Sequence, residues 1–194
     1  MARRGRLRDA GDDELAARAA AGNREALEVL LDRHTDRVHA ICRRVVLDPE
    51  DALDATQEAL IALARGIGRF DGRSGFTTWL HRVATNAALD ELRRRKRRVP
   101  TTPSRDDLTD PGASTVEQRV AARLDVDAAL ARVPDDFRVA VVLRDLCDLD
   151  YPEIADVLGV PVGTVKSRIA RGRRALTELL GNRSDPDDVG VHSD

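Results

Sequence analysis

Aromatic residues make up only 3% of this 194-residue chain, and it holds two cysteines, one methionine and one tryptophan. So few rings leave little bulk for the packed faces of a sheet protein. With 42% hydrophobic and 34% charged residues, the composition favours small all-α bundles. Cys42 and Cys147 stand far apart and the four histidines are scattered, so there is neither a disulfide framework nor a zinc-site spacing. Cys42, beside Ile41 on an apolar stripe, reads as a small core residue. No apolar run approaches the ~20 residues of a membrane span, and no apolar stretch behind the Arg-rich start could act as a signal peptide. The expected location is cytoplasmic, without membrane insertion. Also missing are a nucleophile–base pair, a phosphate-cradling glycine loop and a paired-carboxylate site. The expectation is a protein that is not an enzyme, with no cofactor, no metal and no small-molecule substrate.

The charge that is present is unevenly placed. Residues 161–183 hold six Lys or Arg against Glu178, a local +5, and residues 69–98 hold nine against three acids, a local +6. The formal total is −2, so the remainder carries −13. The first of these segments overlaps Tyr151–Leu176, which reads as a helix-turn-helix. Ile154, Ala155 and Leu158 form the inward side of one helix, Gly159 supplies the tight turn, and Pro161 opens the next helix at its first position. Val165, Ile169, Gly172, Leu176 and Leu179 then repeat at helical spacing as the buried stripe. Thr164, Lys166, Ser167, Arg168, Arg171 and Arg174 are left on the other sides. Such a helix fits a major groove with its first turns at base edges and its arginines on phosphates. An Arg-rich face alone would equally be a solvated surface, but here the spacing, the proline start and the one-sided charge agree.

Residues 11–98 read as several helices. Asp12 and Asp13 open a short one ending near Gly22. Leu27, Leu31, His34, Val38, Ile41 and Val45 mark the inner face of a long one that stops before Pro49, with His34 a packed or hydrogen-bonded core histidine. Pro49 starts a third, whose early acids complement the helix dipole. Its Asp54, Gln57 and Glu58 form a polar side that, taken alone, would be solvated. A turn-rich connection, Phe70-Asp-Gly-Arg-Ser-Gly75, leads into the basic helix from Phe76. Phe70, Phe76 and Trp79 fall within ten positions beside that basic run. They suit stacking by single-stranded nucleic acid, but in an apolar environment the same rings are simply core, the reading that composition alone favours.

Three blocks in this order, Asp54-Ala-Thr-Gln57-Glu58, then Phe70 to Asn86 with Asp90-Glu-Leu-Arg-Arg94, then Val133-Pro-Asp-Asp-Phe-Arg138 before Tyr151–Leu176, resemble the extracytoplasmic-function (ECF, group four) sigma factors of the sigma-70 family. The resemblance covers about residues 12 to 181. It implies two small helical domains joined by a linker, acting with the core enzyme of RNA polymerase at promoters. Asp54, Gln57 and Glu58 become a docking surface for the β′ clamp helices, and the β flap becomes a second polymerase contact. Phe70, Phe76, Trp79, Asn86, Arg93 and Arg94 become the residues that open the minus-10 element and hold an extruded base, with Trp79 divided between that task and the core. Thr164, Lys166, Ser167, Arg168, Arg171 and Arg174 become readers of the minus-35 element. A separate anti-sigma factor and a monomeric free state are implied as well.

The expected organisation is a disordered 1–10, a region-two domain over 11–98, an acidic Pro/Ser/Thr linker over 99–116, a region-four domain over 117–183 and a disordered acidic tail over 184–194. The linker would either thread toward the RNA exit path or serve as a plain tether. Two rivals remain: a dimeric regulator with a similar helix-turn-helix, which would leave the basic-aromatic segment 70–98 unexplained, and a decoy that captures an anti-sigma factor, in which the basic face of 166–174 would have decayed.

Overall fold

The computed structural model describes residues 7–98 and 125–181, so the expectations for residues 1–6, for the linker and for the acidic tail lie outside the described residues. Every regular element among those described is helical, as the ring-poor, alanine-rich composition requires. Helix α1 spans Asp12–Ala20, α2 Arg24–Val46, α3 Pro49–Gly66 and α4 Phe76–Arg98. Their inner faces interlock through Leu15, Leu30, Val38, Ile41 and Val45 against Ala52, Ala55, Ala59, Leu80, Ala84 and Ala88, all essentially buried. The alanines let α2, α3 and α4 approach closely, while the aliphatics of α1 and α2 fill the space between them. Asn23 Oδ1 accepts from Ala26 N–H at 3.1 Å, and Asp48 Oδ1 accepts from Glu50 N–H at 3.0 Å, so α2 and α3 each carry their own N-terminal cap.

Helix α4 follows Gly75, which has no side chain to cap with. The cap comes from elsewhere: Phe76 N–H donates to Asp13 Oδ1 of α1 at 2.7 Å. The disordered N-terminus expected to run to residue 10 is corrected for its last part. Leu7 is 3% exposed in the core, and the Arg33 guanidinium holds the carbonyls of Arg8 and Ala10, so apolar burial and a charged donor fix these residues.

In the second domain, residues 125–132 form α5 and Asp135–Val141 form α6, which continues into a π-helical turn over Val142–Leu146. Helix α7 spans Tyr151–Leu158 and α8 spans Val162–Gly181. Asp150 and Glu153 form a reciprocal capping box on α7, and Gly159 ends it in the left-handed region at φ 63°, the conformation its missing Cβ allows. Pro161 sits one residue before α8 instead of at its first position, and its carbonyl accepts from Thr164 N–H at 2.8 Å. Gly172 is the crossing point of α8 over α6: a Cβ there would lie 2.6 Å from Val141 Cγ2.

The two domains share a continuous apolar core, in which Val139, Leu143 and Leu149 join the residues of α2 and α4. Polar contacts seal the seam. Arg138 Nη2 donates to Val45 O at 3.0 Å, Arg37 Nη2 donates to Leu146 O at 3.0 Å, and His81 Nδ1–H donates to Cys147 O at 2.8 Å. Four residues after Val45 stands Pro49, which has no N–H to offer that carbonyl, so the buried Arg138 supplies the donor from the other domain.

Candidate nucleic-acid and polymerase interfaces

On α8 the buried stripe Val165, Ile169 and Gly172 turns the basic residues outward. Lys166, Ser167, Arg171 and Arg174 are exposed, and Thr164 and Arg168 are half-buried. Four of these six are already engaged through their side chains. Arg168 Nη2 lies 2.7 Å from Asp136 Oδ2, Arg171 sits 5.8 Å over the Phe137 ring, and Ser167 Oγ donates to Thr164 O at 2.9 Å. Lys166 Nζ lies 5.6 Å over the Tyr151 ring. Stacking of this kind holds a cation in place without setting an opposite charge against it. Arg173, absent from the sequence-based set, has its guanidinium pKa held above the ordinary value by its hydrogen bond to Asp145.

The second candidate face begins at a cluster of rings. Phe70 and Trp79 have centroids 5.6 Å apart, Phe76 and Trp79 5.9 Å, and His34 and Phe76 5.5 Å. Phe76 is 3% exposed, so its ring is the foot of the cluster, while the half-buried Phe70 and Trp79 keep an edge toward solvent. Trp79 is thus packed within the cluster while part of its ring stays exposed. It packs so closely on α3 that a Cβ at Gly66 would come within 3.2 Å of it. Asn86, two turns beyond Trp79 on the same side of α4, is exposed. Arg93 and Arg94 are exposed further along, paired with Asp90 at 2.8 Å and Glu91 at 3.0 Å. Beside the rings is a pocket of about 420 Å³ whose lining includes Asp13, Phe70, Asp71 and Ser74. Three of these four side chains carry acceptor oxygens, which suits a planar group bearing an amine.

On α3, Asp54, Gln57 and Glu58 are exposed together, flanked by two large aliphatics that face out: Leu53 at 53% and Ile61 at 42% exposure. Sequence reasoning missed this pair. Their signal was present, because both fall off the buried stripe Ala52, Ala55, Ala59 and Leu63. Burial raises Cys42 to about 11 and Cys147 to about 12, so both thiols stay protonated at neutral pH.

Residues 30–98 match the model of Sigma-70 region 2, and residues 123–176 match that of Sigma-70, region 4. The ECF RNA polymerase sigma factor SigM of Mycobacterium tuberculosis is 42% identical over 170 residues, covering 88% of this chain and 85% of that protein. The chain belongs to the ECF sigma factors. Among others of this group, the ECF RNA polymerase sigma-E factor of Escherichia coli K12 is 33% identical, covering 85% of this chain and 92% of that protein. The solved structure of CnrH with the cytosolic domain of CnrY superposes with a TM-score of 0.61 at 28% identity, covering 88% of this chain and 97% of that one. The sigma factor RpoE of Bartonella quintana, solved with the anti-sigma factor NepR, shares the fold at a TM-score of 0.60. The all-α architecture with two sigma domains, expected from the three sequence blocks, is therefore the one observed. The region-two match of this sigma factor ends at Arg98, where α4 ends. No helix among the described residues is long and apolar enough to cross a membrane.

Proposed function

We propose that this sigma factor binds the core enzyme of RNA polymerase through α3 and directs initiation at promoters read by α8 and opened by α4. The observation that carries this reading is the presence, on one chain, of an acidic-apolar face on α3 and two separate basic faces on α4 and α8. Asp54, Gln57 and Glu58, with Leu53 and Ile61 on either side, combine directional acceptors with apolar area that water does not favour, which suits the β′ clamp helices. Lys166, Ser167, Arg171 and Arg174 suit a major groove at the minus-35 element, and region four would also meet the β flap. At the minus-10 element, a base leaving the stack loses a few kcal/mol of stacking. Phe70 and Trp79 offer rings to offset that loss, and Asn86 offers both a donor and an acceptor to the base edge. Arg93 and Arg94 meet the backbone. Polymerisation chemistry belongs to the core enzyme. A separate anti-sigma factor restrains the free monomer in the cytoplasm, a reading supported by the shared fold of the sigma factor RpoE of Bartonella quintana, which was solved with the anti-sigma factor NepR.

Run-off transcription by bacterial core polymerase from the promoter of the chain's own gene tests this reading. A discrete transcript that depends on the protein is expected. Binding to that DNA with no gain in transcription would refute it in favour of a dimeric regulator. The double variant Asp54→Arg, Glu58→Arg should lose core-enzyme binding in a pull-down while its far-UV circular dichroism is unchanged. Retained binding would sink the α3 assignment.

A further inference from the structure

Helix α4 carries more cations toward its open side than the sequence-based set contains. At 3.6 residues per turn, Arg82, Asn86, Arg93 and Lys96 fall within about 80° of one another around the helix. Two of the four are held by the other domain. Arg82 Nη2 lies 3.3 Å from Glu153 Oε1 at the start of α7, and Lys96 Nζ lies 2.9 Å from Asp135 Oδ2 at the start of α6. The two pairs are fourteen residues apart, about 21 Å along the helix, and bracket Asn86 and Arg93. The other arginines of this segment behave differently. Arg93 and Arg94 pair within α4, and Arg95 pairs with Asp48 and Asp51 of its own domain.

A carboxylate presents two anionic oxygens much as a phosphodiester does, and the same guanidinium or ammonium serves either. Minus-10 and minus-35 elements are, by position, about 25 base pairs apart, or roughly 85 Å along a duplex. Domains in direct contact across a shared core do not span that distance, so engaging both elements requires them to part. Parting removes Glu153 from Arg82 and Asp135 from Lys96, and leaves both cations on the stripe that holds Asn86.

We propose that Arg82 and Lys96 are promoter-phosphate contacts of α4, masked in the free chain by Glu153 and Asp135 of the second domain, so that DNA and the second domain compete for the same two cations. The proposal rests on the minus-10 reading of α4 given above. It adds two contact residues to that reading and gives the free chain a weakened grip on DNA, relieved when the domains separate.

The test uses the full chain and a labelled single strand carrying the non-template minus-10 sequence upstream of its mapped start site, with fluorescence anisotropy read over a range of salt. Glu153→Gln keeps an oxygen for the capping box, and Asp135→Asn keeps one for Arg138, so each removes charge with little change of shape. Both ion pairs are partly exposed and solvent-screened, and each variant should bind roughly two- to five-fold tighter than wild type. Arg82→Gln and Lys96→Gln should each bind more weakly and lower the salt slope by about 0.7. Glu153→Gln should have no effect in an Arg82→Gln background. Unchanged salt slopes in Arg82→Gln and Lys96→Gln, or a gain from Glu153→Gln that persists without Arg82, would overturn the proposal. If Asn86→Ala weakens binding while the four charge variants match wild type, masking alone fails. If wild type prefers this strand no more than a scrambled one, the minus-10 reading fails and the proposal with it.

Discussion

Replacing Arg138 by methionine removes one charged group from the seam between the domains while keeping much of its volume. The side chain is 2% exposed, and three groups depend on it. Nη1 donates to Val133 O at 3.0 Å, and Nη2 donates to Val45 O at 3.0 Å and to Asp135 Oδ1 at 2.7 Å. Burial pulls its pKa below the ordinary guanidinium value, and Asp135 opposes that pull, so the charge is kept by its partner. In the methionine variant Asp135 retains Lys96, but the two carbonyls lose their donor. Val45 O has no helical substitute, because Pro49 has no N–H. Breaking a buried charged network from one side costs about 3–5 kcal/mol, a large part of the ~5–15 kcal/mol that holds a domain folded. Urea unfolding followed by two probes reads the effect: Trp79 is the only tryptophan and lies in the first domain, whereas far-UV circular dichroism reports both domains. Wild type should unfold with coincident transitions. Arg138→Met should lose about 3 kcal/mol or more, with the dichroism signal falling before that of Trp79. Coincident transitions within about 0.5 kcal/mol of wild type would refute the argument that this guanidinium holds the domains together.

Two further outcomes are expected at the same seam and beside it. Burial first, and Arg37 second, lower His81 to about 4. Its Nε2 accepts from Arg37 Nε at 2.7 Å, and Nδ1 faces Cys147 O, so only the neutral ring fits. The unfolded chain then binds the extra proton. Stability should therefore be complete above about pH 6.5 and should fall, by about 3 kcal/mol in all, as pH drops from there toward 4. His81→Asn should flatten that part of a pH series of denaturant midpoints, and an unaltered slope would contradict the assignment. Asp13→Ala removes the cap of α4 and should cost about 1 kcal/mol in thermal or urea unfolding and weaken promoter opening scored by permanganate. Asp13→Asn should restore both, and an Ala variant as stable as wild type would count against the cap.

The helices were legible because periodicity and breakers are local signals. Val38, Ile41 and Val45 on one face, Pro49 at a helix start and Gly159 at a turn each act within a few residues. The exposed faces of α3 and α8 came from those helices by subtraction. What was hidden depends on pairs far apart in the chain: Asp13 with Phe76, Arg37 with Leu146, Arg138 with Val45. Pro49 announced that Val45 would want a donor, yet nothing near it named Arg138. His81 and Lys96 read as ordinary members of a basic helix, because their partners belong to the other domain. Phe76 misleads for a related reason: a ring in a basic segment suits solvent as well as core, and only the position of His34 and Trp79 decides which.

The π-helical turn over Val142–Leu146 bears on which changes this protein can absorb. Its widened loop, closed by Cys147 N–H to Val142 O at 3.2 Å, leaves the carbonyls of Leu146 and Cys147 free of helical duty and turned toward Arg37 and His81. The recognition is made by main-chain oxygens, so it is indifferent to small side-chain exchanges such as Cys147→Ala. It is sensitive to atom count. Deleting one residue between 142 and 146 would regularise the helix, rotate the chain beyond it by about 100°, and carry both oxygens away from their donors. At this point in the chain, the fold depends on spacing more strictly than on identity.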